Sequence, residues 1–145
     1  MVIALIGESC TGKTTIAEEL QRETGAEVYT GKDYLKFAKN PGEAKRLFVE
    51  MLGGEQGTDK FIVFVISEKE HLELLPPKAC RTLLEAGIDT IKERFAVRLK
   101  GTMPPPVSAM LEKKHGMFSK VEYQLRFNTD ESDPKHICNK ILEAL

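Results

Sequence analysis

The chain begins Met1-Val2-Ile3-Ala4-Leu5-Ile6-Gly7-Glu8-Ser9-Cys10-Thr11-Gly12-Lys13-Thr14, an apolar run followed by two spaced glycines and a lysine. The apolar residues 1–6 are typical of a buried strand, and residues 16–23 have the pattern of a helix. Between them, G-x-x-x-x-G-K-T predicts a loop whose backbone N–H groups surround an anion, with the N-terminal dipole of the helix directed at the same charge. The sequence therefore predicts a site for the phosphates of a nucleoside triphosphate.

Two side chains of this loop have expected roles. Lys13 would reach the β- and γ-phosphates, and the Thr14 hydroxyl would hold Mg²⁺. The residues expected to surround the phosphates are Gly7, Glu8, Ser9, Cys10, Thr11, Gly12, Lys13, Thr14 and Thr15. The alternative interpretation is an ordinary glycine turn that caps a helix.

Composition limits the class of protein. The chain has 145 residues, of which 41% are hydrophobic and 30% charged, as expected for one soluble domain spanning residues 1–145. Its net charge of −1 predicts no binding to nucleic acid or to a membrane surface. The three cysteines have no metal or disulfide spacing, which predicts reduced thiols and a cytoplasmic protein. We expect a monomer or homodimer with a small-molecule partner.

Strands alternate with helices along the whole chain. We predict strands at residues 1–6, 26–30, 61–66, 80–86 and 121–127. We predict helical segments at residues 16–23, 33–39, 43–52, 88–99, 107–114 and 134–145. Gly53, Gly54 and Gly57 are expected in a loop. Residues 80–86 could also form a helix, but Pro76-Pro77 before them and Gly87 after them leave room only for a strand. This order predicts an α/β fold in three layers, with a five-stranded parallel sheet and helices on both faces.

Phosphoryl transfer needs cations beyond Lys13 to neutralise the phosphate oxygens. Arg94 and Arg98 lie four residues apart on one predicted helix, so both project from the same face. They precede a proline-rich break, and we expect residues 99–116 to form a short lid that the two arginines help to close over the phosphates. The alternative is a solvated face on which they pair with Glu93 or Asp89.

Two carboxylates follow predicted strands at the edge where ligands bind to parallel sheets. Asp33 could bind an acceptor hydroxyl or accept its proton, or it could cap the helix that begins at Tyr34. Glu68 follows the central strand and could contact Mg²⁺. The residue directly at the end of that strand is Ser67, which is not acidic, so Glu68 lies one position late for this role. His71 and His136 are solitary and suggest no metal site. The polar loop 128–133 could contact a base edge or could be a turn in which Asp133 caps the last helix.

The chain resembles the small-molecule and nucleotide kinases of the P-loop superfamily, namely the gluconate, shikimate, adenylate and cytidylate kinases. Gly7 to Thr14 matches their Walker A loop without a gap. The layout of gluconate kinase reappears in residues 91–98, Met103-Pro104 and residues 110–112. Residues 30–36 are similar to the Thr-Gly-Asp-x-Leu-Arg segment of adenylate kinases, with one residue inserted and Lys36 in place of arginine.

The resemblance implies the three-layer P-loop NTPase fold, ATP and Mg²⁺, and it places Arg94 and Arg98 in the lid region. The departures concern the acceptor. Glu68-Lys69-Glu70-His71 stands where gluconate kinase has basic residues, and Asp33 alone corresponds to the Asp-x-Asp of shikimate kinase. We therefore predict an ATP-dependent phosphotransferase whose acceptor is a small hydroxyl-bearing metabolite. The alternatives are a nucleoside monophosphate kinase and an ATP-binding regulatory module without acceptor turnover.

Overall fold

A sheet of five parallel strands forms the centre of the computed structural model, which describes residues 1–145. The strands are β1 Val2–Ile6, β2 Glu27–Thr30, β3 Ile62–Ile66, β4 Cys80–Glu85 and β5 Leu125–Asn128. Their order across the sheet is β2-β3-β1-β4-β5. β1 and β3 are buried along their whole length, as their continuous apolar sequences predict.

Five α-helices connect or flank the strands. They are α1 Lys13–Thr24, α2 Pro41–Glu55, α3 Ile88–Arg98, α4 Pro105–Lys114 and α5 Pro134–Glu143. Short 3₁₀ helices follow β2 and β3, at Asp33–Phe37 and Lys69–Leu74. None of the helices combines the length and the apolar character that a membrane span requires.

The helices bury apolar side chains against both faces of the sheet. On one face, Ile16 and Leu20 of α1 and Ile137 and Ile141 of α5 pack with β1 and β3. On the other face, the buried residues of α2 pack against the alternate residues of the same strands. This arrangement confirms the predicted three-layer α/β fold with helices on both faces.

Several predicted boundaries differ from the structure, among them those of α2 and β5. α2 continues to Glu55, so Gly53 and Gly54 are helical rather than part of a loop. Asn40 accepts a hydrogen bond from the Glu43 backbone N–H at 3.1 Å, and this cap starts the helix at Pro41. β5 begins at Leu125 rather than at residue 121, and just before it the Gln124 side chain accepts a hydrogen bond from the Arg81 N–H at 2.7 Å.

A stability prediction follows from the extended α2. Replacing Gly53 with alanine should increase the free energy of unfolding by about 0.5–1 kcal/mol, because glycine is costly in a helix interior. A Cβ at this position would meet no atom within 4 Å. Urea denaturation of the variant and the parent measures the change, and an equal or lower midpoint would contradict it.

Candidate nucleotide-binding site

The glycine loop lies between β1 and α1 at the carboxyl edge of the sheet. Gly12 directly precedes α1 with φ +94°, a left-handed conformation that favours glycine. Gly7 donates its N–H to the Ile66 carbonyl at 3.1 Å, and a Cβ at this position would lie 2.5 Å from the Leu84 carbonyl oxygen. Both glycines are therefore required by the path of the glycine loop, which leaves β1 with β3 on one side and β4 on the other.

Lys13 is the first residue of α1, and its side chain lies folded against the loop. Its ammonium group donates to the Glu8 carbonyl, which also accepts from Thr11 Oγ1 at 2.9 Å. The residue is 5% exposed, and burial lowers its pKa to about 8. The charge of Arg98 also lowers this pKa. A buried cation beside a second cation is an environment that an anionic ligand would stabilise.

A cavity of about 170 Å³ opens at this lysine. Its walls come from the glycine loop, from the ends of β2 and β3, and from α3. The lining residues are Ser9, Cys10, Gly12, Lys13, Thr14, Thr30, Gly31, Val65, Ser67 and Arg98. We call this space the phosphate cavity. The fold thus places Lys13, Thr14 and Arg98 on the walls of one cavity.

A larger cavity of about 440 Å³ lies next to the same part of the glycine loop. The two share Cys10, Gly12 and Arg98. Thr15 lines the second cavity, together with Thr129, Ser132 and Pro134 from the segment that joins β5 to α5. Residues of the polar loop 128–133 therefore line this cavity, and Asp133 also caps α5 by accepting from the His136 N–H at 2.9 Å. We call this space the base cavity.

Arg94 and Arg98 have different surroundings although they share a helix face. The Arg94 guanidinium donates to the Cys10 carbonyl at 3.0 Å and to Thr129 Oγ1 at 3.1 Å. It therefore ties the glycine loop to the start of the β5–α5 connection. Arg98 lines both cavities and is exposed, so its charge is available to a ligand. Neither arginine forms a salt bridge with Glu93 or Asp89.

Asp33 lies beside the phosphate cavity but does not line it. Its carboxylate accepts hydrogen bonds from the Thr30 backbone N–H at 2.7 Å and from Thr30 Oγ1 at 3.1 Å. The Thr30 N–H holds the pKa of Asp33 below its usual value. Lys32 precedes the 3₁₀ helix, so Asp33 is that helix's first residue rather than its cap. In this structure Asp33 fixes the end of β2.

Glu68 is exposed and is not among the residues that line the phosphate cavity. Ser67 lines it instead, directly after β3. The residue that meets the cavity at this strand end therefore carries a hydroxyl and not a carboxylate.

Sequence reasoning missed the role of the Glu8 side chain. Its carboxylate accepts from the Gly116 backbone N–H and lies 3.1 Å from His115 Nδ1, so it joins the loop to the end of α4. Leu111 of α4 packs against Cys10 in the same region. A glutamate within the glycine loop was the available signal, but its partner lies 108 residues away.

No protein-family model and no curated protein matches the sequence. Solved structures do match over almost the whole chain. A sugar kinase from Janibacter sp. HTCC2649 is 18% identical, with 98% of this chain and 92% of the other covered and a TM-score of 0.62. A gluconokinase from Sinorhizobium meliloti 1021 is 13% identical, with 98% and 89% covered and a TM-score of 0.60. A shikimate kinase from Aquifex aeolicus vf5 is 19% identical, with 99% and 95% covered and a TM-score of 0.55.

These similarities show that the chain shares the fold of these three kinases. The chain has the three-layer P-loop fold, with its glycine loop between β1 and α1.

Proposed function

We propose that this protein is an ATP-dependent phosphotransferase that moves the γ-phosphoryl group of Mg-ATP to the hydroxyl of a small acceptor. The observation that carries the proposal is the phosphate cavity, in which Lys13 and Arg98 meet the uncharged ends of β2 and β3. Phosphoryl transfer depends on positioning and charge neutralisation more than on covalent chemistry. This cavity offers both, with cations on one wall and space for an acceptor at the other.

The two cavities share three lining residues, which supports one direction for the bound nucleotide. We place its terminal phosphates at Lys13, within the loop amides, and its base beside Thr129 and Pro134. The acceptor then lies at Thr30, Gly31 and Ser67, on the far side of the γ-phosphate. Arg98 lies where both cavities meet and would neutralise charge on the transferring group.

Thr14 is the residue that would hold Mg²⁺. It lines the phosphate cavity and is exposed, so its hydroxyl is available as an oxygen ligand. A single protein oxygen fits this ion, which takes most of its ligands from phosphates and water. When bound, Mg²⁺ neutralises phosphate charge.

We assign Asp33 a positioning role in this reaction. By holding both the N–H and the hydroxyl of Thr30, it fixes one wall of the acceptor space. We also propose that residues 99–116 act as a short lid within a single domain. Its C-terminal end is held by Glu8, whereas Lys100 and Gly101 have positive φ at its start. The reducing cytoplasm suits the three free thiols of this protein.

The proposal is tested by measuring ADP release from Mg-ATP with four groups of acceptors: sugars, sugar acids, shikimate-like hydroxy acids and nucleoside monophosphates. We expect at least one hydroxyl-bearing metabolite of the first three groups to stimulate release. Stimulation by AMP, CMP or GMP alone would instead identify a nucleoside monophosphate kinase.

One observation favours a second function, an ATP-binding regulatory module. Ser67 replaces an acid at the end of β3, and the Asp33 carboxylate is already engaged by Thr30. Such a module would bind Mg-ATP in calorimetry, and no acceptor of the panel would stimulate ADP release.

The two arginines should differ in their effects on nucleotide binding. We expect Arg98→Ala to weaken ATP binding about tenfold and adenosine binding little, because its charge faces the phosphates. Arg94→Ala should weaken ATP and adenosine alike, because Arg94 braces Thr129 at the base cavity. Calorimetry with both ligands separates the two patterns, and an equal effect of Arg98→Ala on both would contradict its assignment.

A further inference from the structure

His71 is a buried histidine whose ring is held in place by its neighbours. It belongs to the 3₁₀ helix Lys69–Leu74 that follows β3 and is 6% exposed. Its ring packs against Tyr34 and Phe64, with centroid distances of 6.0 and 6.4 Å. The Nδ1 edge lies against Gly31, where a Cβ would be only 2.7 Å from this nitrogen. The position of the imidazole is therefore fixed by the fold.

The other ring nitrogen, Nε2, lies beside two carboxylates. It is 3.8 Å from a Glu70 carboxylate oxygen, which is too far for a hydrogen bond. Glu68 adds a second carboxylate, and one possible ligand atom from each of Glu68, Glu70 and His71 lies within 4.8 Å of the others. No other three His, Cys, Asp or Glu side chains of the chain come together in this way. A buried nitrogen without a partner therefore meets two acidic side chains.

The 3₁₀ turn brings these three residues together although they are close neighbours in sequence. The His71 N–H donates to the Glu68 carbonyl at 3.1 Å, and residues three apart in a 3₁₀ helix are eclipsed. Ligand atoms around a tetrahedral ion lie about 3.3 Å apart. Glu68 is exposed and the Glu70 side chain is 72% exposed, so both can rotate to reach this separation.

The two carboxylates are not neutralised by neighbouring cations. Glu73 of the same helix pairs with Lys45, whereas neither Glu68 nor Glu70 forms a salt bridge with a lysine or an arginine. Their charges are therefore available to a cation from solution.

We propose that Glu68, Glu70 and His71 form a binding site for a divalent transition-metal ion such as Zn²⁺. The imidazole supplies one nitrogen, the two glutamates supply oxygens, and water completes the coordination. An imidazole ligand favours Zn²⁺ and its neighbours in the transition series over Mg²⁺, which prefers oxygen ligands alone. The site is therefore distinct from the Mg²⁺ position proposed at Thr14.

A bound ion would stabilise one side of the phosphate cavity. Ser67 directly precedes Glu68 and lines that cavity, and Gly31, which contacts the imidazole, lines it as well. The ion would hold the 3₁₀ helix to the ends of β3 and β2. Neither ATP nor an acceptor takes part in this binding, so the metal site does not depend on the proposed function.

The first test uses the unsubstituted protein, freed of metal by dialysis against a chelator. The ¹⁵N resonances of the His71 ring are followed while Zn²⁺ is added. We expect a saturable shift of the Nε2 resonance and, at ten times the Kd, an increase in Tm of about 4 °C. Mg²⁺ at the same concentrations should shift neither. A His71 ring that does not respond to Zn²⁺, or that responds equally to Mg²⁺, would overturn the proposal.

The second test compares two variants in calorimetric titrations with Zn²⁺. Glu70→Gln removes a ligand charge and should weaken binding at least about tenfold, the smaller loss seen even when an outer partner of a metal ligand is removed. Glu73→Gln is the matched control, because Glu73 lies on the same helix with a side chain that is 62% exposed. Its affinity should stay within twofold of the parent. Equal affinities of the two variants would contradict the assignment.

The three free thiols are the other zinc ligands of this chain, and Co²⁺ distinguishes them from the proposed site. Co²⁺ bound by thiolates absorbs strongly in the near ultraviolet, whereas nitrogen and oxygen ligands give only weak visible bands. We expect the weak visible bands, and we expect Glu70→Gln to remove them at a Co²⁺ concentration that saturates the parent. A strong near-ultraviolet band with an unshifted His71 ring would assign the metal to cysteine and refute the site.

Discussion

Lys13→Ala should lose ATP turnover by about 10³-fold, the effect expected when a preorganised charged donor is removed from a phosphoryl-transfer site. Lys13 is 5% exposed at the start of α1, and Arg98 is the one other cation that lines the phosphate cavity. Because Arg98 is exposed to solvent, it cannot replace a buried charge at the loop. ADP release with a stimulating acceptor measures the loss.

Lys140→Ala is the matched control for this variant. Lys140 is exposed in the last turn of α5, outside both cavities and outside the proposed lid, so its removal should leave turnover within twofold of the parent. Near-normal phosphotransfer by Lys13→Ala would refute the assignment of the glycine loop as the catalytic phosphate site.

The lowered pKa of Lys13 predicts how ATP binding depends on pH. In the free protein this pKa is about 8, and bound phosphates would raise it by stabilising the charged form. ATP affinity should therefore fall about tenfold for each pH unit above 8, and binding at pH 9 should take up protons. Calorimetry in two buffers of different ionisation enthalpy measures the uptake, and Lys13→Ala should abolish it.

Local sequence predicted the centre of this fold because the responsible interactions are themselves local. The continuous apolar residues of β1 and β3 are too few for a buried helix and therefore favour buried strands. Gly7 and Gly12 permit a loop path that other residues would not. The position of Lys13 and Thr14 follows from that loop alone. For the same reason the cap at Asp133 and the start of α5 at Pro134 could be predicted from neighbouring residues.

Side-chain roles that depend on distant partners could not be predicted in the same way. The sequence shows Arg94 and Arg98 as an equivalent pair, but folding brings Thr129 next to Arg94 and leaves Arg98 exposed. His71 looked solitary in sequence. Its ring lies against Gly31 only because β2 and β3 are neighbours in the sheet. Such pairings arise from strand order, which neither residue encodes by itself.

Phe48→Ala should lower the free energy of unfolding by about 3–5 kcal/mol, the range for removing a large aromatic side chain from a packed core. Phe48 of α2 is fully buried, and its ring contacts Tyr29 at 5.6 Å, Phe37 at 5.3 Å and Phe64 at 5.1 Å between centroids. These partners come from β2, from the 3₁₀ helix after it and from β3. One ring therefore holds together the elements that form the acceptor side of the site.

Urea denaturation of Phe48→Ala measures this loss, with Val49→Ala as the control because Val49 is the next residue of α2 and is 38% exposed. Val49→Ala should change the free energy of unfolding by less than about 1 kcal/mol. A Phe48→Ala variant as stable as Val49→Ala would contradict the packing of α2 on this face. Since Tyr34 contacts both Phe48 and His71, the cavity left by Phe48 should also loosen the imidazole. We therefore expect Phe48→Ala, where it remains folded, to broaden the ring resonances of His71.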